Sequence, residues 1–258
     1  MFVVELGEGA PVVFVPGLGC DHSMYRHQLE SLQGVRRLAV DLRGCGRSPS
    51  LGGVPVDDIL EVQVDDLVRE LNARVIDTAH LVGISYGGIV VQQFMLRYPE
   101  RTRSAVICDS FCDVRPRSLL ERIQLWPAHA QPLFLSALPR KVLAASARSA
   151  YSRWPEAGQA MADVFLSDRM DELIAQRRAV NRVHLESALR RSSVPVLCLV
   201  GDHSRFAVSM MRRVHEAVPH SEFDVIPDSF DPSSLCNPTE FTARVQGWVG
   251  AREADLAR

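Results

Sequence analysis

Lysine is nearly absent from this sequence of 258 residues: Lys141 is the only one, and every other cationic side chain apart from histidine is an arginine. An excess of either charge is missing too. The 29 basic and 31 acidic side chains leave a net charge of −2, which argues against a chain that grips nucleic acid through its phosphates. Long apolar runs are lacking. The longest stretches free of Asp, Glu, Lys and Arg, 78–96 and 123–139, have 19 and 17 residues and are interrupted by polar side chains and by three prolines respectively, so neither supplies the ~20 apolar residues that a membrane-spanning helix needs. The first ten residues carry no basic segment and no sustained apolar stretch, so a secretory leader is not expected. Six cysteines (20, 45, 108, 112, 198 and 236) form no C-x-x-C pair and have no histidines at zinc spacing. The expectation is reduced thiols in a cytoplasmic protein. Neither ligand clusters nor a dinucleotide fingerprint is present, so no metal or organic cofactor is implied.

What is present is the composition of a folded domain, with 47% hydrophobic and 23% charged residues. Short β-branched runs at 2–5, 12–16, 37–41, 80–84, 104–109, 194–200 and 222–226 predict strands. Leu60, Val64, Leu67, Val68, Leu71 and Val75 fall on one helical face, a helix is expected over 86–97, and Phe241, Val245, Trp248 and Val249 mark a last one. Strands separated by helices imply right-handed crossovers and a mostly parallel sheet flanked by helices. Residues 112–191 break the alternation. They read as arginine-rich amphipathic segments divided by Pro127, Pro132, Pro139 and Pro155, which predicts a helical cap inserted into a core of 1–111 and 192–258.

The most informative stretch is Gly83-Ile84-Ser85-Tyr86-Gly87-Gly88, which follows a predicted strand and opens a predicted helix. Small residues on both sides of a serine allow a sharp strand-to-helix turn that exposes the hydroxyl beside a helix N-terminus. Two further segments accompany it: Val15-Pro16-Gly17-Leu18-Gly19-Cys20-Asp21 and Asp41-Leu42-Arg43-Gly44-Cys45-Gly46-Arg47-Ser48. Together they resemble the oxyanion loop, the DxRGxGxS loop and the nucleophile elbow of α/β-hydrolase-fold proteins, and the likeness runs nearly end to end. That resemblance implies an α/β fold of the α/β-hydrolase type, with Ser85 as nucleophile. It also implies that the main-chain amides of Leu18 and Tyr86 form an oxyanion hole.

A serine hydroxyl needs a base, and the base needs an orienting acid. In the family, the acid follows the penultimate strand and the histidine follows the last one. Here the first position is Ser204, within Gly201-Asp202-His203-Ser204, and the second is Asp231, within Ser229-Phe230-Asp231-Pro232. Three readings stay open. In the first, the positions are exchanged, with His203 as base and Asp231 as orienting acid in a rearranged triad. The enzyme would then be a hydrolase or acyl-transfer catalyst for a small carboxylic ester, thioester or lactone. In the second, Asp231 is itself an acid or base in a lyase, isomerase or cyclase. In the third, catalysis is lost and a ligand-binding pocket remains. Asp109 and Asp113 are further carboxylates near the predicted insertion, and a catalytic role is not expected for either.

The segment 113–191 carries a net +5, against −7 for the remainder. A small-molecule substrate is expected, with an anionic or carrier-bound one favoured by that charge, although arginines such as Arg177-Arg178 read first as solvated helix faces. Trp126 and Trp154 are candidates for lining the pocket or for packing the insertion on the core. No nucleic-acid or membrane partner is expected, and the oligomeric state is not legible.

Overall fold

The protein, described over residues 1–256 in a computed structural model, is built on a seven-stranded sheet. Its strands are β1 (Phe2–Leu6), β2 (Ala10–Val15), β3 (Val35–Asp41), β4 (Ala79–Ile84), β5 (Thr102–Cys108), β6 (Val196–Gly201) and β7 (Glu222–Ile226). The spatial order is β1-β3-β2-β4-β5-β6-β7. Only β1 runs antiparallel, against β3, and each other neighbour pair is parallel. The inner parallel strands β2, β4, β5 and β6, buried over most of their length on both faces, explain the apolar runs in the sequence. β4 shows the two-residue alternation: Ala79 and Leu81 join the core under one helical layer, while Val82 and Ile84 join the core on the opposite face.

The helices are α1 (Arg26–Ser31), α2 (Ile59–Ala73), α3 (Tyr86–Arg97), α4 (Leu119–Ala137), α5 (Arg140–Ala150), α6 (Pro155–Leu166), α7 (Met170–Val180), α8 (Glu186–Leu189), α9 (Arg205–Ala217), α10 (Ser233–Cys236) and α11 (Pro238–Leu256). Leu60, Val64, Leu67 and Leu71 of α2 are buried as their spacing predicts. Val75 departs from that face. It lies past the helix end with φ 55° and is exposed, because the chain turns there toward β4.

Five helices, α4 to α8, are inserted between β5 and β6. The expected division at Pro127 and Pro132 does not occur: α4 runs through both prolines. A proline inside a helix removes an amide donor, and the carbonyl that Pro132 leaves without its i+4 partner, that of Ala128, takes a hydrogen bond from Arg177 of α7 instead (2.6 Å). Packing between two inserted helices thus supplies a donor that the backbone lacks. Among the described residues no helix is long and apolar enough to cross a membrane.

Candidate active site

Ser85 sits between β4 and α3 with φ 54° and ψ −115°, a left-handed backbone that a non-glycine residue adopts only when its surroundings hold it there. Three bonds do so. The Ser85 amide donates to Cys108 O (2.9 Å), while Ser85 O accepts from Ser110 Oγ (2.7 Å) and from the Gly88 amide (3.0 Å). The flanking glycines are steric requirements. A Cβ on Gly83 would lie 2.4 Å from Gly87 O, and one on Gly87 would lie 2.0 Å from Val15 O.

The serine opens into a cavity of about 540 Å³ between the sheet and the inserted helices. Leu18 and Tyr86 line it beside Ser85, as does Asp231 on the opposite loop. The Leu18 loop is braced by Tyr25, whose hydroxyl donates to Val15 O (2.8 Å). Asp41 ties a neighbouring loop in place by accepting from the amides of His22 and Arg47 (both 2.7 Å) and by pairing with His22 Nδ1.

Asp231 is the unusual group. Burial pushes its carboxyl up to about 8, and the negative charge of Asp109 adds to the rise. The neighbouring Ser85 hydroxyl acts in the other direction, favouring the ionised form. Asp109 is fixed by main-chain donors: its two oxygens accept from the amides of Gly201 and Ser233 (2.9 Å each). That commitment fits a structural strand-end residue that also acts on its neighbour through charge. Tyr151, at the end of α5, donates its hydroxyl to Asp231 O.

His203 is not brought to this site. It is exposed, does not line the cavity, and its ring stands edge-on to Trp154 (4.9 Å between centroids) and Phe230 (5.5 Å). The reason lies in how the two loops are stitched together. The His203 amide donates to Ser229 O (3.0 Å), and the Ser229 amide donates to Asp202 Oδ1 (3.2 Å). The exchanged arrangement, with His203 as base and Asp231 as its acid, is therefore not formed. Asp113 is also remote. It is buried against Arg115 and His184, and Arg115 holds its carboxyl at about 2 against the opposing effect of burial.

Neither candidate tryptophan lines the Ser85 cavity. Trp126 is exposed, and Trp154 packs on Phe230 while donating to Asp228 O (3.1 Å). Arg177, by contrast, was expected on a solvated face, yet it is buried and lines the cavity. Its helical position relative to Leu173 and Val180 was the available signal. Asp21, His22 and Asp41 stand close enough to share an ion. Asp21 Oδ1 and both Asp41 carboxylate oxygens already accept from loop donors, Ser23 for Asp21 and the groups named above for Asp41.

This architecture has many counterparts. A thermophilic esterase from Thermogutta terrifontis superposes with a TM-score of 0.81 at 24% identity, over 97% of this chain and 93% of that one. The enol-lactonase from Burkholderia xenovorans gives 0.80 at 20% identity, over 96% of both chains. Among curated relatives, the pimeloyl-[acyl-carrier protein] methyl ester esterase of Aeromonas hydrophila is 30% identical over 266 residues, covering 96% of this chain and 98% of the relative. Other matches are partial: the chain spans about half the length of RutD from Azorhizobium caulinodans, at 30% identity over 141 residues and 52% of that protein. The Alpha/beta hydrolase family profile matches residues 12–229, from within β2 to the loop beyond β7. With the sheet order, the serine turn and that match in agreement, this chain belongs to the alpha/beta hydrolase family.

Proposed function

We propose that the protein is a serine-dependent hydrolase or acyl-transfer enzyme for a small carboxylic ester, thioester or lactone, with Ser85 and Asp231 as its working pair. The observation that carries this reading is that Ser85 and Asp231 line one cavity whose other walls are mainly apolar, with the serine hydroxyl near enough to the carboxyl to favour its ionised form. An ordinary aspartate is too weak a base for a serine hydroxyl. With its carboxyl raised to about 8, Asp231 approaches the basicity of an imidazole.

The ionised Asp231 takes the Ser85 proton as Oγ bonds to the substrate carbonyl carbon. The amides of Leu18 and Tyr86 hold the resulting oxyanion, helped by the positive end of α3. Protonated Asp231 then returns its proton to the leaving oxygen or sulfur as that bond breaks. Water or a second nucleophile attacks the acyl-serine with Asp231 again as base, and Ser85 regains its proton. In this reading the helices of 112–191 are a cap that closes the cavity. The relative aligned along nearly the whole chain bears the name of an ester hydrolase, which supports this chemistry.

A fluorophosphonate probe tests the pairing. Labelling is expected at Ser85 and not in Ser85→Ala, with a rate that rises with pH through about 8 in the wild type and falls at least about 100-fold in Asp231→Asn. Absence of labelling at every pH would overturn the reading.

One observation favours a second reading. At neutral pH Asp231 is mostly protonated, so it is a proton donor facing the cavity. Isomerisation, dehydration or cyclisation of a carbonyl compound would use that proton, with Ser85 serving only to hydrogen-bond. Activity that survives Ser85→Ala but not Asp231→Asn would select it.

A further inference from the structure

Arg177 is 6% exposed, and no carboxylate pairs with it among the described residues; burial alone accounts for the downward shift of its pKa to about 10. It stays charged at neutral pH. Its hydrogen bond to Ala128 O uses Nη2, and Nε has no partner. An isolated guanidinium taken out of water is expensive, and proteins ordinarily offset it with an acid. Here none does, although linking α4 to α7 through a carbonyl would need only a neutral donor such as glutamine.

The same arginine lines the Ser85 cavity, where it is the one cationic side chain among the described residues. Asp231 is the one acid there, and no ion pair joins it to Arg177 among the described residues. The tyrosines that line the cavity, Tyr86 and Tyr151, are held neutral by burial. Arg177 is therefore the one unpaired positive charge in a cavity lining that is mainly apolar.

Resting on the reading of Ser85 as nucleophile, we propose that Arg177 receives a free carboxylate of the substrate, so that the substrates are monoesters, monothioesters or lactones bearing a second, ionised carboxyl group. A single guanidinium with one Nη already committed matches a single negative charge. A phosphate dianion would remain half compensated in this lining. Apolar side chains such as Ile89, Leu135 and Phe165 suit the hydrocarbon between the carboxylate and the scissile carbonyl.

Two chromogenic esters of matched acyl length test this: mono-4-nitrophenyl adipate, with a free carboxylate, and 4-nitrophenyl hexanoate, without one. In the wild type kcat/KM for the adipate should exceed that for the hexanoate by about tenfold or more. Arg177→Met should bring the ratio to about one, while Arg177→Lys, which keeps the charge, should hold it above one. A wild-type ratio near one, or an unchanged ratio in Arg177→Met, overturns the proposal and leaves the nucleophile reading standing. If Arg177→Met fails to fold, the wild-type and Arg177→Lys ratios decide. If neither ester is turned over, the nucleophile reading fails and calorimetry with monomethyl adipate decides. Binding to the wild type that weakens at least about tenfold in Arg177→Met upholds the carboxylate site. Equal affinity, or no binding to the wild type, overturns it.

Discussion

The Ala128 carbonyl accepts from Arg177 at 2.6 Å because Pro132, four residues further along α4, has no amide to offer it. A proline thus helps place a buried charge at the wall of the Ser85 cavity. The interaction joins two of the inserted helices, α4 and α7, and neither helix shows it in its own sequence.

Pro132→Ala would restore a helical donor to Ala128 O and remove the ring from the helix interior. The variant should unfold at higher temperature, by an amount equivalent to about 1–3 kcal/mol. A lower melting temperature would mean that the proline fits the path of α4 better than a regular helix does.

His203→Ala should leave fluorophosphonate labelling of Ser85 within about twofold of wild type, since the ring faces Trp154 and Phe230 at the surface. Loss of labelling would return the histidine to the catalytic centre.

The raised pKa of Asp231 has a thermodynamic sign. Below about pH 4 the carboxyl is protonated in both the folded and unfolded chain. Between there and about 8 the unfolded chain releases the proton and the folded chain keeps it, so stability falls with rising pH; above 8 the loss levels off. Asp231→Asn, neutral throughout, should melt higher than wild type at pH 8, and the gap should narrow toward pH 5. A gap that stays constant over this range would show that the carboxyl is not shifted.

Gly87→Ala puts a methyl group 2.0 Å from Val15 O and 2.6 Å from Pro16 O, both backbone atoms that cannot swing away. Urea denaturation should show a loss of about 2–3 kcal/mol or more. An unaffected midpoint would mean that the serine turn yields more easily than its packing implies.

All seven strands were legible in the sequence: the inner ones leave compact apolar runs because both their faces are buried, while the edge strands β1 and β7 showed only as short β-branched segments bounded by turns. The serine turn was equally legible, since its glycines flank Ser85 in sequence, although the contacts that demand them come both from the turn itself (Gly87 O for Gly83) and from the neighbouring strand (Val15 O for Gly87). The proposed partner of Ser85 was only half visible. Asp231 could be placed by its neighbours in sequence, but whether His203 joins it depends on how two loops distant in the chain are hydrogen-bonded. Arg177 was misread because an arginine beside a second arginine on an amphipathic helix has the pattern of a solvated face.

The chain order of apolar and small residues thus determined the sheet, the sharp turn at Ser85 and the loops around it, since those are local consequences of side-chain size and periodicity. Only the tertiary structure decided which charges lose their water. Desolvation depends on what packs above a group from elsewhere in the chain, and it is this that turns Asp231 into a group of high proton affinity and leaves Arg177 unpaired at the same cavity.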